Sequence, residues 1–200
     1  MTHDEQSHSG ADTHDTDHQH EDRGHEHGDD DHGHHHHGDD DHHHDHHHAH
    51  DVASLSAAVV TVSTSRTIDD DAAGDAIAAA FDDSGHDVTV RDVVADDFDG
   101  VQSTVDRLVD RDDVDVLVTT GGTGVTPDDV TVEAVGDLFQ KDLPGFGELF
   151  RRRSESEIGT RVVGTRARAG IVQGVPVFCL PGSENAARLG SEEIIVPEAP

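Results

Sequence analysis

The sequence has one cysteine, one methionine, no tryptophan and no tyrosine among its 200 residues. A single cysteine, Cys179, excludes an internal disulfide framework. Because it lies in the apolar run Val175–Leu180, we interpret Cys179 as a thiol of a core strand and not as a nucleophile. The sequence also lacks a run of about 20 apolar residues, and it opens with His, Asp and Glu in place of a basic region followed by an apolar one. We therefore expect a cytoplasmic protein with no membrane partner.

Basic residues are scarce. Lys and Arg together number 13 against 44 Asp and Glu, so the formal net charge is −31 with neutral histidines. Lys141 is the single lysine, and Arg151–Arg153 is the one basic run. Nucleic-acid binding needs clustered Lys and Arg against phosphates, so this composition argues against a nucleic-acid partner. An acidic surface with almost no lysine instead suggests a halophilic protein from a salt-rich cytoplasm, where salt screens self-repulsion.

Residues 1–51 differ in composition from the rest of the chain, with 19 of the 20 histidines, 16 acids and one base. They contain almost no aliphatic side chains and cannot bury enough apolar area to offset the entropy of ordering, so we predict a disordered His/Asp-rich tail. Blocks such as His34, His35, His36 and His37 offer imidazoles that suit Zn, Ni, Cu or Co ions. Three interpretations of the tail stay open: metal buffering or storage, a response to pH, and a solubilising extension without a specific role.

Residues 52–200 alternate between strand and helix patterns, which predicts a three-layer α/β/α domain with a mostly parallel sheet. Short β-branched runs indicate buried strands, and the amphipathic stretches between them indicate covering helices. The predicted strands are 57–62, 87–94, 114–119 and 175–180, with a hairpin made of 161–164 and 169–174. The predicted helices are 69–84, 98–110, one that begins near 127–129, and 144–154.

The most informative stretch is the glycine-rich turn after the third strand, formed by Thr120, Gly121, Gly122, Thr123 and Gly124. Glycines without Cβ let the backbone approach a phosphate closely, threonines supply hydroxyls, and the next helix would direct free N–H groups to the same place. Ligands of an open parallel sheet collect beyond the carboxyl ends of its strands, where the first and last strands deliver further small polar residues. Those further residues are Ser63, Gly182 and Ser183. The sequence therefore predicts a cleft for a nucleotide or phosphoester.

Two acids are the candidate catalytic residues: Asp96 follows the second strand, and Asp129 lies near the start of the next helix. Carboxylates in a phosphate pocket would repel a polyphosphate unless a cation lies between them, which favours Mg²⁺ bound by Asp96 and Asp129. Each acid also has a simpler explanation, Asp129 as a helix N-terminal acid and Asp96 as a turn former. Taken singly, either acid would be explained in that simpler way.

Six motifs in a fixed order are spread over about Leu55–Pro197. They are Val62-Ser63 with Arg66-Thr67 and Asp70-Asp71; 119–124; Asp129-Val130-Thr131 with Glu133-Ala134; 143–151, which includes Pro144 and Gly145; 157–160 with Arg166-Ala167 and Ala169-Gly170; and 178–183 with Asn185-Ala186. Six motifs in the right order and spacing make a stronger signal than a glycine-rich turn alone. In these motifs the chain resembles the MoaB/MogA family of molybdenum cofactor biosynthesis, which comprises molybdopterin adenylyltransferases and their relatives.

The resemblance implies an enzyme that transfers AMP from ATP to the terminal phosphate of molybdopterin, needs Mg²⁺ and releases pyrophosphate. By this resemblance, the two important acids of the family correspond to Asp96 and Asp129. Pro144 and Gly145 become candidates for substrate binding. The resemblance also implies a homotrimer or homohexamer that works with other proteins of the cofactor pathway. A non-catalytic molybdopterin-binding paralogue or carrier is the alternative, and molybdenum or tungsten could be the downstream metal.

Overall fold

The computed structural model describes residues 54–199, so the predicted tail and its proposed metal ligands His34–His37 lie outside the described residues. The described part contains six strands and five α-helices, with short 3₁₀ and π segments near the end. In chain order the elements are β1 (Ser56–Val62), α1 (Ala72–Asp83), β2 (Asp87–Val94), α2 (Phe98–Val109), β3 (Val116–Thr120), α3 (Thr131–Gly136), β4 (Lys141–Asp142), α4 (Pro144–Ile158), a 3₁₀ segment (Gly159–Gly164), β5 (Arg168–Val172), β6 (Val175–Leu180), α5 (Glu184–Gly190), a π turn (Ser191–Ile195) and a 3₁₀ turn (Val196–Glu198).

The sheet has the strand order β2-β1-β3-β6-β5-β4. Strand β1 pairs in parallel with β2 and with β3, and β3 pairs in parallel with β6. Strands β5 and β4 form an antiparallel edge beside β6. The prediction of a mostly parallel sheet is confirmed, and the carboxyl ends of β2, β1, β3 and β6 lie along one end of the sheet.

Helices cover both faces of the sheet, which explains why residues 57–62 of β1 are buried without interruption. On one face α1, α4 and α5 pack through a cluster that includes Ile77 and Phe150. On the other face α2 and α3 pack through a cluster that includes Leu108 and Val135. Each such side chain contributes about 1.5–3 kcal/mol when fully buried. None of the helices within residues 54–199 is long and apolar enough to span a bilayer.

The interpretation of Cys179 as a core thiol is confirmed. Cys179 lies in β6 and is fully buried. Burial raises the pKa of its thiol to about 11, so the thiol stays protonated at physiological pH. A thiol in that state is inert as a nucleophile.

Two of the predicted elements are wrong. Residues 161–164 belong to an exposed 3₁₀ segment, and the hairpin instead joins β5 to β6 through Gln173 and Gly174. Both turn residues have positive φ, as a two-residue hairpin turn of the primed type requires, although Gln-Gly is a weaker signal than Asn-Gly. The helix expected near 127–129 begins only at Thr131, and residues 126–129 form a separate turn in which the carboxylate of Asp129 accepts hydrogen bonds from Thr126.

A buried carboxylate fixes the connection from β1 to α1. Asp71 is the N-cap of α1, and its carboxylate accepts hydrogen bonds from the backbone N–H of Gly74 at 3.0 Å and from the hydroxyl of Thr61 at 2.6 Å. The same carboxylate pairs with Arg91 at 3.2 Å and with Arg66 at 3.7 Å. Asp71 therefore ties the connection that follows β1 to the sheet and to α1. This connection lies at the carboxyl end of the parallel strands.

The charge of residues 54–199 predicts that salt stabilises their fold. The described residues carry 28 acids and 12 bases, so their net repulsion exceeds the attraction of exposed ion pairs at low salt. Raising KCl from 0.1 to 1 M shortens the screening length from about 10 to about 3 Å. We expect the thermal midpoint Tm, measured by circular dichroism on the full chain, to rise, by about 2–4 °C for each kcal/mol of relieved repulsion.

Sucrose at matched osmolality is the control, because it strengthens apolar burial without screening charge. A Tm that stays constant or falls between 0.1 and 1 M KCl contradicts the prediction.

Candidate active site

The turn after β3 packs its backbone directly against two neighbouring segments. Gly121 and Gly122 both have positive φ, 101° and 62°. A Cβ on Gly121 would overlap the carbonyl oxygen of Val62, and one on Gly122 would overlap the hydroxyl of Thr131. The backbone N–H of Thr131 also donates to the carbonyl of Gly122 at 2.9 Å. Glycine is required at both positions, because a side chain would meet strain and a clash together.

Backbone and hydroxyl hydrogen bonds join the ends of β3 and β6. The N–H of Gly121 donates to the carbonyl of Leu180 at 3.0 Å, and the hydroxyl of Thr120 donates to the carbonyl of Pro181 at 3.0 Å. The Cβ position of Gly182 lies 3.0 Å from the Cα of Gly121. The last strand therefore brings Gly182 against the glycine turn, as the parallel topology predicts.

Asp96 faces the same turn from the end of β2. Its Oδ2 accepts hydrogen bonds from the backbone N–H and the hydroxyl of Thr64, at 2.9 and 3.0 Å. Its Oδ1 lies 3.3 Å from the Cβ position of Gly122. The N-cap of α2 is Asp97, which accepts from the N–H of Gly100 at 2.7 Å. Asp96 instead contacts Thr64, 32 residues away, so the role of a local turn former does not account for its carboxylate.

Asp129 has the same hydrogen-bonding pattern near Gly124 of the turn. Its Oδ2 accepts from the backbone N–H and the hydroxyl of Thr126, at 2.9 and 2.6 Å, and lies 2.5 Å from the Cβ position of Gly124. The Thr126 hydroxyl contributes most to lowering the pKa of Asp129, and the positive charge of Arg166 also lowers it. Asp129 is therefore ionised at neutral pH and is held beside the glycine turn.

A cavity of about 350 Å³ lies over the turn and brings together six of the twelve predicted site residues of the domain, among them Asp129 but not Asp96. Its lining residues are Gly121, Gly122, Thr123, Gly124, Asp129, Gly164, Thr165, Pro181 and Gly182. A second cavity of about 510 Å³ shares Asp129 with the first, and a third of about 430 Å³ shares Arg166 with the second and is lined by Pro144. The three cavities form a series along the carboxyl end of the sheet, with Asp129 and Arg166 at their boundaries.

Some predicted residues lie at the edge of this arrangement. The hydroxyl of Ser63 accepts hydrogen bonds from the backbone of Ser65 and Arg66, both at 3.3 Å. Ser183 caps α5 and lines a separate cavity of about 260 Å³. Gly145 is exposed at the start of α4.

Three residues of the site were not predicted: Thr131, Glu133 and Arg166. Thr131 is fully buried beside Gly122, and its hydroxyl has no hydrogen-bond partner among the described residues. Arg166 pairs with Glu133 at the mouth of the cleft. The sequence does carry one signal for them, because all three lie inside the motifs on which the family resemblance rests.

Comparison with known proteins identifies the class to which this fold and cleft belong. The profile of the family described as "Probable molybdopterin binding domain" matches residues 58–200. The chain belongs to this family, the MoaB/MogA family of molybdenum cofactor biosynthesis proteins. The resemblance drawn from the motifs is therefore confirmed.

Individual relatives are similar over most of the described residues. Molybdenum cofactor biosynthesis protein B of Bacillus anthracis is 43% identical over 141 residues, which cover 70% of this chain and 83% of the relative. A crystal structure of a molybdenum cofactor biosynthesis protein B has a TM-score of 0.71 and 40% identity, covering 72% of this chain and 91% of that one. The tungsten cofactor synthesizing protein MoaB from Pyrococcus furiosus has a TM-score of 0.64 and 36% identity, covering 73% and 97%.

The close packing at Gly122 predicts a large cost for a single methyl group. Gly122→Ala combines a positive φ with a clash against Thr131, whereas Gly85→Ala adds a methyl at a similar positive φ of 83° in open space. We expect Gly85→Ala to lower the free energy of unfolding by about 1–2 kcal/mol. Gly122→Ala should cost about 1–3 kcal/mol more, measured by urea unfolding. Equal losses in the two variants would show that the contact with Thr131 is not a constraint.

Proposed function

We propose that the chain is a molybdopterin adenylyltransferase that uses ATP and Mg²⁺. The observation that supports this most is the position of Asp129, an ionised carboxylate in the wall of a cavity whose floor is glycine backbone. Such a floor admits phosphate groups closely. Family membership supports molybdopterin as the second substrate.

In the proposed reaction, an oxygen of the terminal phosphate of molybdopterin attacks the α-phosphorus of ATP. The bond from that phosphorus to the oxygen bridging the α- and β-phosphates breaks, and pyrophosphate leaves with the electron pair. The attacking oxygen is already anionic, so the reaction needs no strong base. The protein contributes mainly by positioning the two phosphates and by stabilising charge.

The residues of the cleft divide these tasks. Gly122 and Thr123 would bind phosphate oxygens through the turn, since the close backbone there leaves no side chain in the way. Gly182 extends the same surface from the end of β6. Asp96 presents its carboxylate near Gly122 and Asp129 presents its carboxylate near Gly124, and neither forms a salt bridge among the described residues.

The donor set fits Mg²⁺ brought in with ATP. Asp96 and Asp129 offer hard anionic oxygens, and the unpartnered hydroxyl of Thr131 lies buried beside Gly122. No cluster of three metal-binding side chains occurs among residues 54–199, which suits an ion held by one or two carboxylates together with phosphates and water. When bound, Mg²⁺ would neutralise charge on the phosphate oxygens and on departing pyrophosphate.

The test of this proposal is pyrophosphate release from Mg-ATP, with and without molybdopterin, in high salt. Asp129→Asn removes the charge but keeps an oxygen that can accept from Thr126, so the turn should survive. We expect molybdopterin-dependent release by the full chain and a fall in kcat of at least about 10²-fold in Asp129→Asn. The matched control is Asp128→Asn, which removes an exposed charge from the same turn and should leave kcat within about twofold.

A measurement of molybdopterin binding distinguishes the proposed enzyme from the alternative, a non-catalytic molybdopterin carrier. A full chain that binds molybdopterin but releases no pyrophosphate would be a non-catalytic carrier. Unchanged turnover in Asp129→Asn would remove Asp129 from the reaction even if the chain is an enzyme.

We also propose that residues 1–51 bind divalent transition metals, independently of the cleft. The support is compositional: these residues hold 19 of the 20 histidines, interleaved with aspartates. Neutral imidazole is a common ligand of Zn²⁺ and Ni²⁺, and protonation below pH about 6.5 should release the ions. The function would be buffering or storage of an ion.

Equilibrium dialysis against Zn²⁺ tests the tail directly. We expect deletion of residues 1–51 to abolish most Zn²⁺ binding and to leave pyrophosphate release unchanged. Replacing His34–His37 by Gln in the full chain should remove only part of the bound zinc, because the other histidines remain. Retention of the full zinc stoichiometry after the deletion would refute the proposal.

A further inference from the structure

We infer that Arg166, oriented by Glu133, is a positioning residue that holds the glycine turn and the Asp129 turn in one fixed arrangement. The catalytic consequence of this inference rests on the proposed function. Its structural part does not, because it concerns only contacts within the chain.

One guanidinium group joins the two segments that form the cleft. The Nε–H of Arg166 donates to the backbone carbonyl of Thr123 at 3.3 Å, and its Nη2–H donates to the backbone carbonyl of Asp129 at 3.1 Å. Thr123 belongs to the glycine turn, and Asp129 is the candidate acid. Arg166 therefore sets the distance between the phosphate-binding turn and the carboxylate through their backbones.

Glu133 fixes the direction of that guanidinium. Both of its carboxylate oxygens accept from Arg166: Oε1 accepts from Nη1, and Oε2 accepts from Nη2 at 3.3 Å. The hydrogen bond from Arg166 is also the main cause that lowers the pKa of Glu133, so the pair stays charged at neutral pH. Because Glu133 lies in the first turn of α3, the pair links the cleft to a helix packed on the sheet.

The segment between the two carbonyl acceptors, residues 124–128, makes few other contacts with the rest of the domain. Residues 125–128 are exposed, and Val125 keeps 76% of its surface accessible. The contacts of Asp129 with Thr126 are local and close only the turn itself. Arg166, in contrast, is 43 and 37 residues away from its two backbone acceptors and comes from the connection to β5. Beside the contact of Gly122 with Thr131, it is therefore a second tie between this exposed segment and the rest of the domain.

The geometry requires arginine and not only a positive charge. Four hydrogen bonds leave one planar group toward three different residues. A lysine ammonium is a point donor with three protons and cannot reproduce a planar fork. Arg166 also lines both the 510 Å³ and the 430 Å³ cavities, so a loss of its position would alter the cleft where the two cavities meet.

Hydrogen exchange on the full chain tests the inference without depending on activity. In Arg166→Ala we expect the amides of residues 122–131 to exchange about tenfold faster, while the amides of β1 and β3 stay protected. Arg153→Ala is the matched control. Arg153 lies on α4, and its Nη1 forms an exposed ion pair with Oε2 of Glu193 at 2.7 Å. This variant should not change exchange in 122–131. Unchanged exchange there in Arg166→Ala would overturn the inference.

Arg166→Lys separates position from charge. If Arg166 acts by position, Arg166→Lys should exchange like Arg166→Ala and should lower kcat for pyrophosphate release by about tenfold or more, with a smaller change in the KM for Mg-ATP. Full recovery of exchange and kcat by lysine would contradict a positioning role. If the unaltered chain releases no pyrophosphate, the proposed function fails, and the exchange measurement still decides whether Arg166 positions the cleft.

Discussion

The close contact of backbone with backbone at the turn after β3 is the constraint on which the rest of the cleft depends. Gly121 lies against the carbonyl of Val62, Gly122 against the hydroxyl of Thr131, and Gly182 against Gly121. Because no side chain separates these segments, the ends of β1, β3 and β6 and the start of α3 cannot move independently. Hydrophobic packing on both faces places the strands, and this contact then determines how their ends meet.

Asp96 and Asp129 repeat one local design beside that turn. In each, Oδ2 accepts both the backbone N–H and the hydroxyl of a nearby threonine, Thr64 or Thr126. At Asp129 these hydrogen bonds lower the pKa and so favour the charged carboxylate. In the proposed reaction, a carboxylate held in this way would keep its direction when a phosphate approaches.

The sequence was sufficient for the parts of the structure that follow local rules. Periodicity predicted the strands except β4 and the helices except α5, and the rule for carboxyl ends of parallel strands brought Gly121–Gly124, Asp129 and Gly182 to one cavity. It was insufficient where a contact joins distant segments, as Arg166 does with Thr123 and Asp129, since no local pattern records a separation of 37 or 43 residues. It also misplaced the start of α3, where residues 126–129 form a separate turn in place of the first turn of the helix.

An acidic protein that is to bind an anion must place its few bases at the binding site. Only 12 bases accompany the 28 acids of the described residues, yet three of them, Arg151, Arg166 and Arg168, line the 430 Å³ cavity, which shares Arg166 with the 510 Å³ cavity. At high ionic strength, charges farther away than a few ångströms are screened, so the excess of surface acids weighs little on a ligand inside the cleft. The contacts within the cleft then decide binding. If the protein works in high salt, as its composition suggests, screening would relieve repulsion among the surface acids and leave the short-range field of the arginines and the paired turns to select the ligand.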